Sequence, residues 1–257
     1  MSKRQRFIVT SLVLSLGFVG TQFLSESYNR FLSIGILGIL TIILFAWSLR
    51  EGLGKNSTLL TLVLPFAFTM GVGIFWFLLP TSIFARIPVV IFYGFGIYAL
   101  CLTTNIYTVS AIRTIALLRA ARGVGFVLTL VTFFLIFDAI LSIKSSFLAT
   151  TFAVSLVSFP LFLQGYWAIP LEKRLTKDVL ILSMISSLIM GEIAAGLFFW
   201  PVTIVVGSLF YTVAVYVLLG LGQAKLDERL FDQTVREYLL LALAVFIGMF
   251  LATSWRG

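Results

Sequence analysis

Nine apolar stretches, each about long enough to cross a bilayer, recur along this chain of 257 residues. A helix that crosses roughly 30 Å of hydrocarbon needs about 20 residues, because each residue adds about 1.5 Å. The stretches have no continuous polar face of the kind that a helix on a soluble core turns to water. The expected spans run from Phe7 to Leu24, Phe31 to Leu49, Leu59 to Leu79, Ile87 to Thr104, Gly123 to Ser142, Phe147 to Ala168, Val179 to Trp200, Val202 to Leu221 and Tyr238 to Ser254.

The composition agrees with lipid as the solvent. Hydrophobic residues make up 60% of the chain and charged residues 11%, whereas a soluble domain carries about 25% charged residues. Hydrocarbon offers no water to backbone amides, so a spanning segment must be a helix or part of a closed barrel. Barrel strands alternate polar and apolar residues, and this sequence does not. We therefore predict an all-α, polytopic integral membrane bundle of about nine transmembrane helices that form one domain, 1–257.

Basic residues are distributed unevenly between the predicted loops. With the N-terminus in the cytoplasm, fourteen of them fall on the cytoplasmic side: Lys3, Arg4, Arg6, Arg50, Lys55, Arg113, Arg119, Arg122, Lys173, Arg174, Lys177, Lys225, Arg229 and Arg236. The other side receives Arg30, Arg86, Lys144 and Arg256. Cationic loops are retained in the cytoplasm during insertion. The distribution predicts a multi-pass protein of the plasma or inner membrane, with the N-terminus cytoplasmic and the C-terminus outside.

A weak internal repeat relates residues that lie 120 positions apart. At this offset Trp47 corresponds to Trp167, and Gly71 corresponds to Gly191. Four spans in each copy would give a parallel duplication followed by a ninth helix, a layout related to the parallel repeats of some transporters. The candidate repeat units are 1–120 and 121–237, with a terminal helix over 238–257.

The residue types that are missing exclude several kinds of chemistry. The chain has no histidine and one cysteine, Cys101. Haem ligation by imidazole, serine-histidine catalysis and the usual zinc peptidases all need histidine. The basic residues are scattered between spans and do not form one nucleic-acid-binding face. We expect no catalytic residue, metal, cofactor or nucleic-acid partner; the expected partners are the bilayer, anionic lipids and other membrane proteins.

Two carboxylates, Glu192 and Asp138, fall inside predicted spans. A lone carboxylate in hydrocarbon is costly and commonly marks an ion or proton site. If the fifth and seventh helices were neighbours, these two groups could share a proton or a cation. The further ligands would come from Tyr93, Tyr98, Tyr211, Tyr216 or Gln164. The structural alternative is that Glu192 is protonated or bonded to a tyrosine or a backbone carbonyl and fixes helix register, while Asp138 approaches the outer interface and meets Lys144.

Small residues recur every four positions along the seventh span, at Ser183, Ser187, Gly191 and Ala195. Such a strip lets another helix backbone approach closely. We interpret it as a helix-packing seam near Glu192.

Two cytoplasmic segments have the spacing of helices. Residues 105–122 suit an interfacial helix whose Arg113, Arg119 and Arg122 contact anionic lipids, or else an extension of the fifth span. Residues 225–237 suit a short amphipathic or solvated helix on the membrane surface.

Three functions are compatible with these features. The first is a non-enzymatic scaffold or complex subunit. The second is a small transporter or proton-coupled permease that uses Glu192 and Asp138. The third, a lipid-modifying enzyme, would normally have clustered carboxylates, histidines or a basic diphosphate site, and the sequence has none of these patterns.

The odd number of spans gives a testable topology. A reporter that is active only in the cytoplasm should be inactive when fused to the C-terminus, and active when fused after Arg122. Because each span reverses the side of the loop that follows it, activity at both positions would refute the nine-span topology.

Overall fold

The computed structural model describes residues 2–21, 27–53, 57–79, 83–111, 116–172 and 174–253. Nine α-helices follow one another in these ranges, and a 3-10 helix, Ser57–Leu62, leads into the third. They are α1 Lys3–Gly20, α2 Ser27–Ser48, α3 Val63–Leu78, α4 Ile83–Ser110, α5 Leu118–Ser142, α6 Phe147–Trp167, α7 Lys177–Phe198, α8 Ile204–Leu226 and α9 Asp232–Ala252. Each helix overlaps one predicted span, so the prediction of an all-α fold is confirmed.

Eight of these nine helices are long and apolar enough to cross a membrane. The ninth is α1, whose first turn carries Lys3, Arg4 and Arg6. The architecture is therefore that of a membrane-embedded helix bundle.

The segment before α9 differs from its prediction, whereas the segment before α5 follows the second of its two predicted alternatives. Helix α8 continues to Leu226, a turn follows in which Glu228 has a φ of 56°, and α9 begins at Asp232. The prediction of a separate surface helix over 225–237 is wrong, because its helical spacing belongs to the ends of two longer helices. In the 105–122 segment, α4 continues to Ser110 and 118–122 extend α5, as the alternative proposed.

The chain divides into two compact units. The first comprises Met1–Thr132 with Leu171–Arg174, and the second comprises Phe133–Pro170 with Leu175–Gly257. Helix α5 contributes its first part to one unit and its last part to the other.

Aromatic rings and a chain of hydroxyl groups fill the core of the first unit. The ring of Phe18 in α1 lies 5.2 Å from that of Trp76 in α3 and 4.9 Å from that of Tyr93 in α4. The Tyr93 hydroxyl lies 3.1 Å from Thr69 Oγ1, which lies 3.1 Å from Thr41 Oγ1 in α2. All these side chains are buried. Polar contacts therefore link α2, α3 and α4 within an apolar core.

The second unit is built around a similar aromatic cluster. The ring of Phe133 in α5 lies 5.3 Å from that of Phe162 in α6, and the ring of Phe137 packs edge-on against Tyr211 of α8 at 5.2 Å. Tyr166 of α6 donates its hydroxyl to the Leu218 carbonyl at 2.9 Å. Its oxygen lies 2.7 Å from Ser186 Oγ in α7. Tyr166 thus connects three helices of this unit.

Two cations near the N-terminus hold the turn that follows α2. The Arg6 side chain is buried and donates a hydrogen bond to the Glu51 carboxylate. Lys3 Nζ lies 2.7 Å from the other oxygen of Glu51. The hydrogen bonds from Lys3 and then Arg6 lower the pKa of Glu51 from 4.5 to about 2.

Replacing Glu51 by glutamine should lower the midpoint of thermal unfolding at pH 7. A carboxyl with a lowered folded-state pKa adds stability above its unfolded value, and that contribution is lost as the pH falls from 4.5 towards about 2. The difference between Glu51→Gln and the parent protein should therefore shrink over this pH range in detergent-solubilised protein. Glu228→Gln removes the same charge from an exposed turn position and is the control. Equal shifts for both variants would contradict the assignment.

Candidate functional site

Glu192 lies on the exposed side of α7. It is the seventh residue from the end of the helix, so its Cα lies about 9 Å from that of Phe198 along the axis. One turn earlier Leu188 is 61% exposed, and Met184 is exposed on the same side. Glu192 is thus a carboxylate on an otherwise apolar surface. The sequence placed it in the span, but its outward direction depends on how α7 packs.

Gly196 continues this surface one turn beyond Glu192. It is exposed, and a Cβ added there would meet no atom within 4 Å outside the local helix backbone. Glu192, Leu188 and Gly196 therefore define an uncovered surface on α7, which we call the Glu192 face. The sequence signal for it is a glycine four residues after an intramembrane glutamate, a spacing that places both on one side of a helix.

Asp138 is in a different environment. Its side chain is 6% exposed, and Ser208 Oγ of α8 lies 3.4 Å from Asp138 Oδ1. Ser208 also donates to the Ile204 carbonyl at 2.8 Å. A hydroxyl has one proton, so the shorter bond competes with the long one to Asp138. The expected Asp138–Lys144 ion pair is not found among the described residues, where Lys144 is exposed.

The structure does not bring the two carboxylates into contact with each other in the described part of the chain. One is buried beside α8, and the other faces outward from α7. Among the described residues there is no group of three or more histidine, cysteine, aspartate or glutamate side chains that could hold a metal ion. Gln164 and Tyr211, which were considered as further ligands, are buried, and Gln164 Oε1 and the Tyr211 hydroxyl find no hydrogen-bond partner among the described residues.

The strip of small residues on α7 lies beside the Glu192 face, because consecutive residues such as Gly191 and Glu192 are about 100° apart around a helix. Ser183, Ser187 and Gly191 are buried, and Ala195 is half-buried. The two serines donate to the carbonyls of their own helix, Ser183 to Val179 and Ser187 to Met184. Because both serine hydroxyls are hydrogen-bonded within α7, the strip presents a nearly apolar surface of small side chains.

Helix α6 packs closely against this strip. A Cβ added to Gly191 would lie 3.2 Å from Ser155 Cβ and 3.7 Å from the Thr151 carbonyl oxygen. Such spacing leaves no room for a larger side chain unless α6 moves.

The predicted lipid-contacting arginines lie at or before the start of α5. Arg119 is exposed and Arg122 is half-buried. Arg113 lies outside the described residues.

Comparison with known proteins identifies the family. Residues 9–252 match the family described as "Protein of unknown function (DUF5656)". The chain is a member of the DUF5656 family. Neither a curated protein nor a solved structure matches it. The matched region of this DUF5656 protein begins inside α1 and ends with α9, so it contains both carboxylates and the strip of small residues.

Two glycines of α7 give a matched test of this geometry. Gly191→Leu should destabilise the purified protein by about 1–3 kcal/mol, because the side chain would enter the contact with α6. Gly196→Leu should change stability by less than about 0.5 kcal/mol, because its position is open. Thermal unfolding in one detergent measures both. Equal destabilisation would contradict the orientation of α7.

Proposed function

We propose that this DUF5656 protein is a non-enzymatic subunit or scaffold of a membrane-protein complex, and that a partner helix docks on the Glu192 face. The exposed carboxylate of Glu192 on an apolar surface carries this proposal. Hydrocarbon supplies no hydrogen bonds, and a carboxylate at the centre of a membrane helix costs about 2.5–3.5 kcal/mol on insertion scales. A partner that covers Glu192 and supplies a donor would remove this cost.

The proposal places all nine helices across the plasma or inner membrane, with the N-terminus in the cytoplasm and the C-terminus outside. Helix α1 is included because, after its first turn, both the side that packs on the bundle and the exposed side carry large apolar residues. Phe7, Leu14 and Phe18 are buried against the bundle, whereas Leu12 and Leu16 are exposed. An exposed apolar side favours contact with lipid.

Helix bounds support a parallel duplication. Moving α2, 27–48, along the chain by 120 positions gives 147–168, and α6 is Phe147–Trp167. The 3-10 helix with α3, 57–78, moves to 177–198, which are the bounds of α7. Helix α4, 83–110, moves to 203–230, and α8 begins at Ile204. We propose two four-helix copies followed by α9.

The proposed copies differ at the Glu192 face. The positions equivalent to Glu192 and Gly196 are Val72 and Trp76, which are 1% and 2% exposed. Phe18 of α1 packs against Trp76 there. A helix therefore covers this face in the first copy, whereas the same face is open in the second. By this comparison, we propose that the open face of α7 also accepts one helix.

The charge of Glu192 indicates the chemistry of the partner. A second copy of this chain is a poor partner, because every basic residue in its described helices lies within five residues of a helix end. Glu192 lies deeper in its span. We therefore propose a helix of a different membrane protein that carries a lysine or arginine within its span.

Photo-crosslinking in native membranes tests this proposal. A photoreactive residue at position 188, one turn from Glu192, should form an adduct with a spanning peptide that contains a lysine or arginine. The same residue at position 209, exposed on α8, is the control and should label lipid. Mass spectrometry identifies the adducts. An adduct with lipid alone, or with a second copy of this chain, at position 188 would refute the proposed partner.

Removing the carboxylate should weaken the same complex. Breaking one side of a buried charge pair costs about 2–5 kcal/mol, so Glu192→Leu should largely abolish the adduct from position 188. The purified variant should unfold at the same temperature as the parent protein, because the Glu192 side chain is exposed in the described part of the chain. Undiminished adduct formation would show that the carboxylate does not mediate docking.

The second candidate is a small transporter that uses Glu192 and Asp138, and the buried Asp138 carboxylate favours it. A transport mechanism of this kind requires the carboxyls of Glu192 and Asp138 to bind the same cation or solute along one pathway. A membrane-permeable carbodiimide should then modify both, and a single cation or solute should block both reactions. Modification of one residue alone, or the absence of such protection, would count against transport.

A further inference from the structure

A groove of about 440 Å³ runs between α1 and α4 on the outside of the first unit. Its lining is apolar apart from three hydroxyl-bearing residues, and consists of Ile8, Ser11, Leu12, Ser15, Val90, Ile91, Gly94, Phe95 and Tyr98. The volume falls within the range of about 300–1,000 Å³ that is usual for small-molecule sites. The groove has room for a flexible chain.

Close contact between the two helices forms the floor of the groove. Ser11 Oγ donates to the Gly94 carbonyl at 2.7 Å. A Cβ added to Gly94 would lie 2.9 Å from Ser15 Oγ. The small side chains of Ser11 and Ser15, and the absence of one at Gly94, therefore let α1 and α4 approach closely and leave the space above them empty.

Larger apolar side chains form the rim. Leu12 and Ile91 are more than half exposed, and Phe95 is 72% exposed. On a membrane-spanning helix such exposure faces acyl chains. The groove is thus open to lipid along its side.

Arg4 extends the α1 wall of this groove by one turn. It precedes Ile8, Ser11 and Ser15 by four, seven and eleven residues, which places all four on one side of the helix. Arg4 is exposed, and no carboxylate pairs with it among the described residues, whereas its neighbour Lys3 is held by Glu51. A cation therefore stands at the end of an apolar groove, about 6 Å from Ile8 along the helix axis.

We propose that this groove binds one acyl chain of an anionic phospholipid, whose headgroup phosphate is held by Arg4. The apolar groove would bind the acyl chain. The Arg4 guanidinium would bind the phosphate, for which its planar set of donors is suited. The groove lining spans seven residues of rise on α1, about 10 Å, which is too short to seat a spanning helix of about 30 Å. This site is separate from the Glu192 face and does not depend on it.

Labelling with photoactivatable lipids tests the site. The full chain is reconstituted into phosphatidylcholine vesicles that contain a small fraction of phosphatidylglycerol or phosphatidylcholine with a photoreactive acyl chain. Labelled residues are mapped by mass spectrometry. Phosphatidylglycerol should label residues 8–15 and 90–98 about fivefold more than phosphatidylcholine, the preference expected for one basic residue near the surface. Equal labelling by the two lipids, or labelling outside these segments alone, would overturn the proposal.

Two pairs of variants separate headgroup from chain binding. Arg4→Gln should remove the preference for phosphatidylglycerol, whereas Arg236→Gln, an exposed arginine near the start of α9, should keep it. Leu12→Trp should fill the groove and abolish labelling by both lipids, whereas Leu16→Trp, exposed on the same helix outside the groove, should not. Thermal unfolding confirms that each variant is folded. An unchanged preference in folded Arg4→Gln, or unchanged labelling in folded Leu12→Trp, would overturn the corresponding half of the proposal.

Discussion

The need to satisfy every polar group without water governs this structure. The helices satisfy their own backbone amides, and many buried hydroxyls bond to carbonyls one turn earlier in the same helix. Examples are Thr41 to Leu37, Thr104 to Leu100, Thr132 to Leu128 and Ser183 to Val179. These groups need no partner from another helix. A carboxylate has no proton to donate when ionised and cannot use this solution, which is why Glu192 and Asp138 differ from all these hydroxyls.

Asp138 and Glu192 lie in different environments for a carboxylate that needs a hydrogen-bond partner. This difference supports the proposed function. Asp138 is buried and lies beside Ser208 within its own unit. Glu192 is exposed on α7, at a position whose proposed counterpart in the first copy is the buried Val72. A duplication in which one copy keeps a covered face and the other exposes it would give a scaffold with one docking surface. The groove beside α1 lies in the first unit, so protein and lipid contacts would use separate units.

The helices were predictable because their signal is local. Apolar length and the absence of a polar face depend on consecutive residues, and every predicted span overlaps a helix. Residues 225–237 were misread because a four-residue period does not distinguish a separate helix from the ends of two long ones. The outward direction of Glu192, the Ser208 contact of Asp138 and the Arg6–Glu51 pair were not predictable, because they depend on which helices pack together and how each is rotated.

The central claim is that a helix from another protein covers the Glu192 face in the membrane. Its most direct test is a nitroxide spin label at position 188, with Cys101 replaced, measured for collision with lipid-dissolved oxygen. In nanodiscs that contain the purified chain alone, the label should be fully accessible, since Leu188 is 61% exposed. In native membranes the partner helix should protect the label from collision with oxygen. Equal accessibility in both would contradict the account.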